Sequence, residues 1–399
     1  MEMKTLDDLD LDPSVPGFFL RPDYYETLAR LRAEAPFFEV APGVRLVSRY
    51  DDIREISRSP ERFCSGRGVL VNDPLRSGGV IEGSILHTDP PRHGEWRRLL
   101  NREFTGRAVG GNEDRIRSRA VALLDAIPRG EVIDLVDRIS APLPVMVIAD
   151  VLDIDESHWP EFRRWSDATI AASDGISTIT VDEMTAIGEL DTFLRAHAEA
   201  KRANPGPDVV SLLVQAEVGG EPLTAGELAT FNLSLLIAGN ETTRHLISGG
   251  LLALAAHPDQ RAALVADPGL IPNAIEECLR WVTPIQQFAR TTVSDTVVGD
   301  QPIAADDYLV MLYASGNRDE AAFGPTAGEF DTARPVKNAN VAFGFGEHLC
   351  LGAALARLEV RILFEELFAR WPDFDVAGDA EWLPSTLVRG PHALPMIFH

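Results

Sequence analysis

Cysteine is scarce in this chain. Three residues in 399, Cys64, Cys278 and Cys350, lie far apart, which excludes a disulfide framework and any CxxC pair for zinc. Positive charge is also short: Lys+Arg total 37 against 61 Asp+Glu, a formal net charge of −24. A surface this acidic repels phosphate backbones, so no nucleic-acid partner is expected. Long apolar runs are missing. The two strongest, PLPVMVIADVL at 142–152 and LSLLIA at 233–238, are too short to cross a bilayer, and no membrane partner is expected. The opening MEMKTLDDLDLD lacks the basic start and apolar stretch of a signal peptide, so a cytoplasmic protein is expected. No Gly/Ser- or Pro-rich linker, repeat or low-complexity tract divides the chain, and a single domain over 1–399 is expected, with about 1–20 as an N-terminal extension. A glycine fingerprint for flavin or nicotinamide is absent too.

What is present is mostly helical periodicity. The patterns predict helices over 22–34, 50–58, 90–103, 113–127, 141–152, 158–172, 183–202 and 208–217, with a hairpin of 37–40 and 44–48 about Pro42-Gly43. Asp89 before Pro90-Pro91 is expected to cap the helix at 90–103. Thr224 and Glu227 form a capping-box pattern, and the helix they open continues to His257-Pro258, about 32 residues or roughly 48 Å. The fold class predicted is mainly α with a small β region.

Two features resist a purely structural reading. The middle of the long helix, LSLLIAGNETTRHLISGG at 233–250, is apolar on most faces yet contains Gly239, Asn240, Glu241, Thr242 and Thr243. A glycine costs about 1 kcal/mol inside a helix, and a buried carboxylate without partners costs several more. A helix opened at Gly239 beside a ligand, with an acid and an alcohol adjacent, fits that combination. The second feature is Cys350, which follows Gly344 and Gly346 and precedes a helix to about Ala369. Free amides and the dipole at a helix start favour thiolate. That thiolate suits a metal ligand, or a nucleophile with His348 two residues away as base.

The stretch FGFGEHLCLG at 343–352 resembles the haem-binding signature of the cytochrome P-450 family, Phe-Gly-x-Gly-x-His/Arg-x-Cys-x-Gly. AGNETT at 238–243 is similar to the family's oxygen-activating segment, and EECLR at 276–280 contains its Glu-x-x-Arg pair as Glu277 and Arg280. DPPRHGEWRRLLNREF at 89–104 resembles the helix holding the haem propionates, and FDTAR at 330–334 the region that adds Arg334 to the network of Glu277 and Arg280. The blocks come in the family's order and cover the chain from about residue 20 onward. Two departures stand out: one extra residue between Arg334 and Phe343, and Asn340 where a His often precedes the signature.

The resemblance implies one cytochrome P-450 domain enclosing haem b (iron protoporphyrin IX) between the long helix and the Cys350 loop. Cys350 is then the axial thiolate, with His93, Arg97, Arg290, His348, Gly239 and Phe343 around the cofactor. Glu241 and Thr242 form the proton relay. The implied activity is monooxygenation of a hydrophobic small molecule with O2, electrons coming from a ferredoxin and its reductase as in bacterial members. A peroxide-driven peroxygenase or a non-catalytic haem sensor or carrier would leave the acid–alcohol pair unused. By the same analogy the substrate pocket draws on 66–86, 160–185, 234–242, 284–289 and 385–390, with Val69, Val71, Ile81, Leu235, Ala238, Ile285, Phe288 and Leu387 as contacts. The local phrases are similar to members acting on steroids, methyl-branched lipids and terpenoids. Arg92, Arg97, Arg98, Arg102 and Arg107 gather positive charge on one segment, to which Arg357 and Arg361 add, and Arg98 and Arg102 are the expected docking residues for the electron donor.

Overall fold

In the computed structural model, which describes residues 5–81, 83–173 and 179–399, helices dominate and strands are few and short. The described residues form two compact units. The first takes the chain up to Val80 together with Glu276–Cys350 and Trp382–Gly390, and the second comprises Ile81–Ile275, Leu351–Glu381 and the residues from Pro391 on.

A mixed five-stranded sheet organises the first unit, in the order Phe37–Ala41, Val44–Val47, Tyr308–Leu312, Gln287–Thr292, Phe63–Cys64. Val44–Val47 and Tyr308–Leu312 run parallel, and the other pairs are antiparallel. The strand Tyr308–Leu312 is buried at every position, which is why it reads as the continuous apolar run YLVML rather than as an alternation. Its side chains still divide by the pleat. Tyr308, Val310 and Leu312 pack with Phe18, Phe19, Leu28 and Leu31, whereas Leu309 and Met311 pack with Tyr50, Ile53 and Ile56. Helices Tyr24–Glu34 and Tyr50–Arg58 therefore cover opposite sheet faces.

The second unit is built on the helix Ala225–Ala256, 32 residues long. Its capping box is formed: Glu227 N donates to Thr224 Oγ1 at 3.1 Å and Thr224 N to Glu227 Oε2 at 2.9 Å. Around it lie Pro142–Val151, Trp159–Ser173 and Val181–Ala203, whose Val145, Ile148, Phe162, Leu190 and Leu194 form one core cluster with Leu236. Ala353–Arg370 packs on Glu113–Asp125, joined by Arg117 to Glu365 and Glu366 at 2.7 and 2.6 Å and Arg361 to Glu113 at 2.7 Å. Among the described residues no helix is long and apolar enough to cross a membrane.

Three local expectations are corrected. The helix predicted over 90–103 runs only Arg92–Leu100, with Pro91 and not Asp89 at its cap position. Residues preceding proline are kept out of α geometry, so Asp89 and Pro90 cannot join the first turn. The helix predicted to reach 217 ends at Val214, because Glu217–Val218 turns back at Gly219-Gly220 to pair with Glu221–Pro222. Gly239 does not open the long helix, which is unbroken from Ala225 to Ala256.

Candidate active site

The Cys350 loop is shaped by residues distant in sequence. Gly344 and Gly346 have φ of +69° and +73°, values that L side chains rarely adopt. At Gly346 the exclusion is also steric, since a Cβ there would lie 2.1 Å from the Ser57 carbonyl oxygen. Between them Phe345 stacks under two guanidinium groups, Arg54 at 4.3 Å and Arg58 at 5.4 Å from the ring centroid. Ser57, Arg54 and Arg58 share the helix Tyr50–Arg58, so one element clamps the loop. Phe343 closes it: its carbonyl accepts from Cys350 N at 2.9 Å. His348 ends one turn of 3-10 helix, Gly346–His348, with Nε2 3.1 Å from Ser65 Oγ.

Cys350 is exposed at the end of this loop, while Cys64 and Cys278 are buried. Burial pushes the Cys278 thiol up and leaves it inert. Cys350 lies two residues ahead of Gly352, the cap of helix Ala353–Arg370, rather than in the first turn itself. The loop thus presents one accessible sulfur on a backbone that cannot relax.

Arg290, on the strand Gln287–Thr292, is buried at 6% exposure and forms no ion pair among the described residues. Its Nη1 donates to the Ala289 carbonyl at 2.7 Å. A buried guanidinium with so little compensation is able to pair with an anion. In the second unit, His93 and Arg97 lie one turn apart on the helix Arg92–Leu100, His93 buried and Arg97 partly so. Trp96 anchors that helix by stacking on Phe231 of the long helix, centroids 5.1 Å apart and planes 10° from parallel.

On the long helix most residues are buried, yet Leu235, Ala238, Gly239 and Thr242, spaced by three and four, remain partly or fully open. They form one stripe. Gly239 keeps its neighbour close, since a Cβ there would lie 3.2 Å from Ile148 Cδ1. Thr242 Oγ1 donates to the Ala238 carbonyl at 2.6 Å. Glu241 points elsewhere and is buried, with Arg244 Nη2 and His245 Nε2 each 3.4 Å from Oε1.

Glu277, Arg280 and Arg334 come together in the first unit. Arg280 Nε and Nη2 clasp Glu277 with two bonds of 2.7 Å, and Arg334 Nε reaches the same carboxylate at 3.2 Å. Arg280 also donates to the carbonyls of Asn317, Ala327 and Glu329. Asn340 ties the segment with the extra residue back to this helix through Glu276 Oε2 at 3.1 Å.

Of the expected pocket residues, Val69, Ile285, Phe288 and Leu387 lie in the first unit's network: Ala289 N donates to Val69 O, Gln286 N to Leu387 O, and Ile285 bridges Val388. Val69 is fully buried, whereas Val71, Ile81, Leu235, Ile285, Phe288 and Leu387 are half-buried and Ala238 is exposed. Parts of two expected pocket stretches, residue 82 and residues 174–178, lie outside the described residues. A cavity of 520 Å³ in the second unit, between Leu99, Glu103, Asp208, Leu212 and Glu217, contains none of these residues. Of the expected docking residues, Arg98 and Arg102 are exposed and, like Arg107, free of ion pairs among the described residues. Arg92 and Arg361 are instead paired with Glu227 and Glu113. Ser57, Arg54, Arg58, Arg244 and Asp167 carried no sequence signal of their own.

The first unit thus presents an exposed thiol on a rigid loop and a buried guanidinium without an ion pair among the described residues, and the second unit an open stripe of small residues on its long helix. Residues 269–377 match the cytochrome P-450 family model. A steroid C26-monooxygenase of Mycolicibacterium smegmatis is 36% identical, covering 100% of this chain and 98% of the relative. A linalool 8-monooxygenase of Pseudomonas putida is 35% identical over 94% and 95%. A Mycobacterium marinum cytochrome P-450 solved with pseudoionone covers 100% of both chains at 34% identity, with a TM-score of 0.88. The fold and the site define a haem-dependent oxidoreductase, and the chain belongs to the cytochrome P-450 family. It is a monooxygenase, an enzyme that incorporates oxygen from O2.

Proposed function

We propose that this enzyme holds haem b through Cys350 and oxygenates a hydrophobic small molecule, a steroid, methyl-branched lipid or terpenoid, with electrons from a ferredoxin and its reductase. The observation that carries this reading is Cys350, the one exposed thiol, on a loop that Gly346 and Ser57 hold rigid. Haem bound there supplies the oxidising chemistry, tuned by the thiolate. The protein's own residues do the rest. Arg290 and His348 of the first unit and His93 and Arg97 of the second are the partners for the propionates, Arg290 with a guanidinium that forms no ion pair among the described residues. Gly239 and Ala238 keep the long helix free of bulk on its open stripe. Thr242 holds a proton at Oγ1, and Glu241 replaces it.

Val71, Ile285, Phe288 and Leu387 in the first unit, and Ile81 and Leu235 in the second, are half-buried apolar side chains suited to a branched hydrocarbon, in line with relatives named for steroid and linalool oxidation. Arg98 and Arg102, joined by Arg107, offer exposed positive charge on a chain of net charge −24, which supports docking of an acidic ferredoxin. The test is spectroscopic. The purified protein should give a thiolate-type reduced carbon-monoxide spectrum that Cys350→Ser abolishes, and a panel of steroids, terpenoids and branched fatty acids should shift the haem spin state. A thiolate-type spectrum retained in Cys350→Ser would overturn the ligand assignment.

A further inference from the structure

Glu241 belongs to a polar cluster larger than an acid–alcohol pair. Its side chain is 4% exposed, and Oε1 accepts from Arg244 Nη2 at 3.4 Å. Arg244, 7% exposed, extends its other amino group, Nη1, to Asp167 Oδ1 at the same 3.4 Å, and Asp167 is 48% exposed. One guanidinium therefore links a sealed carboxylate to one that meets solvent.

The groups facing this trio come from three elements. Arg163, one turn before Asp167 on the helix Trp159–Ser173, has Nε 3.9 Å from Asp167 Oδ2. His245, fully buried on the long helix, has Nε2 3.4 Å from Glu241 Oε1. His392, on the strand Pro391–Ala393, acts electrostatically on both Asp167 and His245. Burial holds His245 below its ordinary range and so neutral near pH 7, which leaves Arg244 as the cation beside Glu241. Burial raises Asp167 and the Glu241 charge adds to it, against the pull of Arg244 and Arg163. His245 Nδ1 and Asn240 Oδ1 are buried without a protein hydrogen-bond partner among the described residues, the situation ordered water resolves.

We infer that Asp167 is the solvent-side carboxylate through which protons reach Glu241, with Arg244 as the positioning residue that couples the two. The inference rests on reading Glu241 as the acid of the reaction. One proton moves and total charge is conserved. Asp167, protonated from solvent, releases its proton toward Glu241 Oε1. It is left as a carboxylate and draws Arg244 to itself, and neutral Glu241 is freed from the guanidinium to serve Thr242. Solvent then reprotonates Asp167. Half-exposure suits the outer group to exchange, and burial suits the inner one to delivery without leakage.

The experiment uses the holoenzyme with saturating substrate and electron donor, comparing Asp167→Asn, Asp167→Glu, Glu241→Gln and the double variant Asp167→Asn with Glu241→Gln. Asp167→Asn should slow product formation about tenfold and raise the H2O/D2O rate ratio, and Asp167→Glu should restore most of the rate. The double variant should be no slower than Glu241→Gln, because the two groups act in series. Infrared titration supplies a readout apart from turnover: the protonated-carboxyl band lost in Asp167→Asn should move to lower pH in Glu241→Gln, where the neighbouring negative charge is gone. A wild-type rate in Asp167→Asn, multiplicative losses in the double variant, or an unmoved Asp167 band would overturn the inference while leaving Glu241 as the acid. A wild-type rate in Glu241→Gln would overturn the reading beneath it.

Discussion

Gly346 meets the backbone of Ser57 so closely that a Cβ at position 346 would lie 2.1 Å from the Ser57 carbonyl oxygen and 2.8 Å from its carbon. The obstacle is backbone, so no side-chain rotation relieves it. Gly344, with a similar φ of +69°, has nothing nearer than His348 O at 3.8 Å. The two glycines answer different demands, one conformational and steric, the other conformational alone.

Gly344→Ala should therefore cost about 1 kcal/mol, the strain of a left-handed alanine. Gly346→Ala should cost at least twice that and reduce haem content on purification, because the Cys350 loop must leave the helix Tyr50–Arg58. Denaturant midpoints and haem-to-protein ratios of the two variants check this, and equal losses would count against the clamp.

Arg280 is 2% exposed and satisfies one carboxylate and three carbonyls. Arg280→Met should destabilise the protein by about 3–5 kcal/mol, since Glu277 is left buried with the longer Arg334 contact as its remaining ion pair among the described residues. Arg334→Met removes the 3.2 Å contact to Glu277 along with bonds to Phe323, Thr326 and Glu329, but leaves Glu277 clasped by the two shorter Arg280 bonds, and should cost less. Urea unfolding of both gives the order, and an Arg334 loss equal to that of Arg280 would contradict it.

The Thr242 hydroxyl bonds within its own helix, so Thr242→Ala should leave the fold and substrate binding intact. It should lower the fraction of reducing equivalents recovered in product, with the balance appearing as peroxide. Measured product per NAD(P)H consumed decides the matter, and full coupling would remove Thr242 from the proton route.

Asp52, in the first turn of the helix Tyr50–Arg58, has its carboxyl raised to about 6 by burial, reinforced by Glu55, Asp51 and Asp300 and opposed by Arg49. The folded state then holds this proton more tightly than the unfolded chain, so stability falls as pH rises from about 4 through about 6. Asp52→Asn should raise stability at pH 7 by about 1 kcal/mol after allowance for solvent screening, and the gain should vanish below about pH 4. Thermal midpoints at the two pH values test the sign.

Charge reversal at Arg98 or Arg102, which have no ion pair among the described residues, should slow donor-supported reduction at low salt. The defect should fade as ionic strength rises past about 0.1 M, where screening acts over about 10 Å. Neutralising Arg361, already held by Glu113 and Glu365, should matter less. Identical reduction rates for all three would place docking elsewhere.

What was legible in the sequence was local. The capping box of Thr224 and Glu227 and the glycines around Cys350 act within a few residues, so spacing alone revealed them, while the Glu277–Arg280 pair was marked by the resemblance to the family. The Gly239 expectation failed for a local reason as well. One glycine lowers helix propensity by about 1 kcal/mol, and the buried face of a 32-residue helix outweighs that.

Other features exist only once distant segments meet. Arg334 reaches Glu277 across 57 positions, and Arg244 finds Asp167 across 77. Ser57 restrains a glycine that lies at the opposite end of the chain. The isolation of Arg290 is likewise a property of its surroundings, because an arginine's letter says nothing of whether a carboxylate will lie beside it. Local backbone chemistry thus determined where the long helix begins and which cysteine stands on a glycine-shaped loop. Partnership, burial and clash depend on which surfaces are packed together, and the tertiary structure alone decided those.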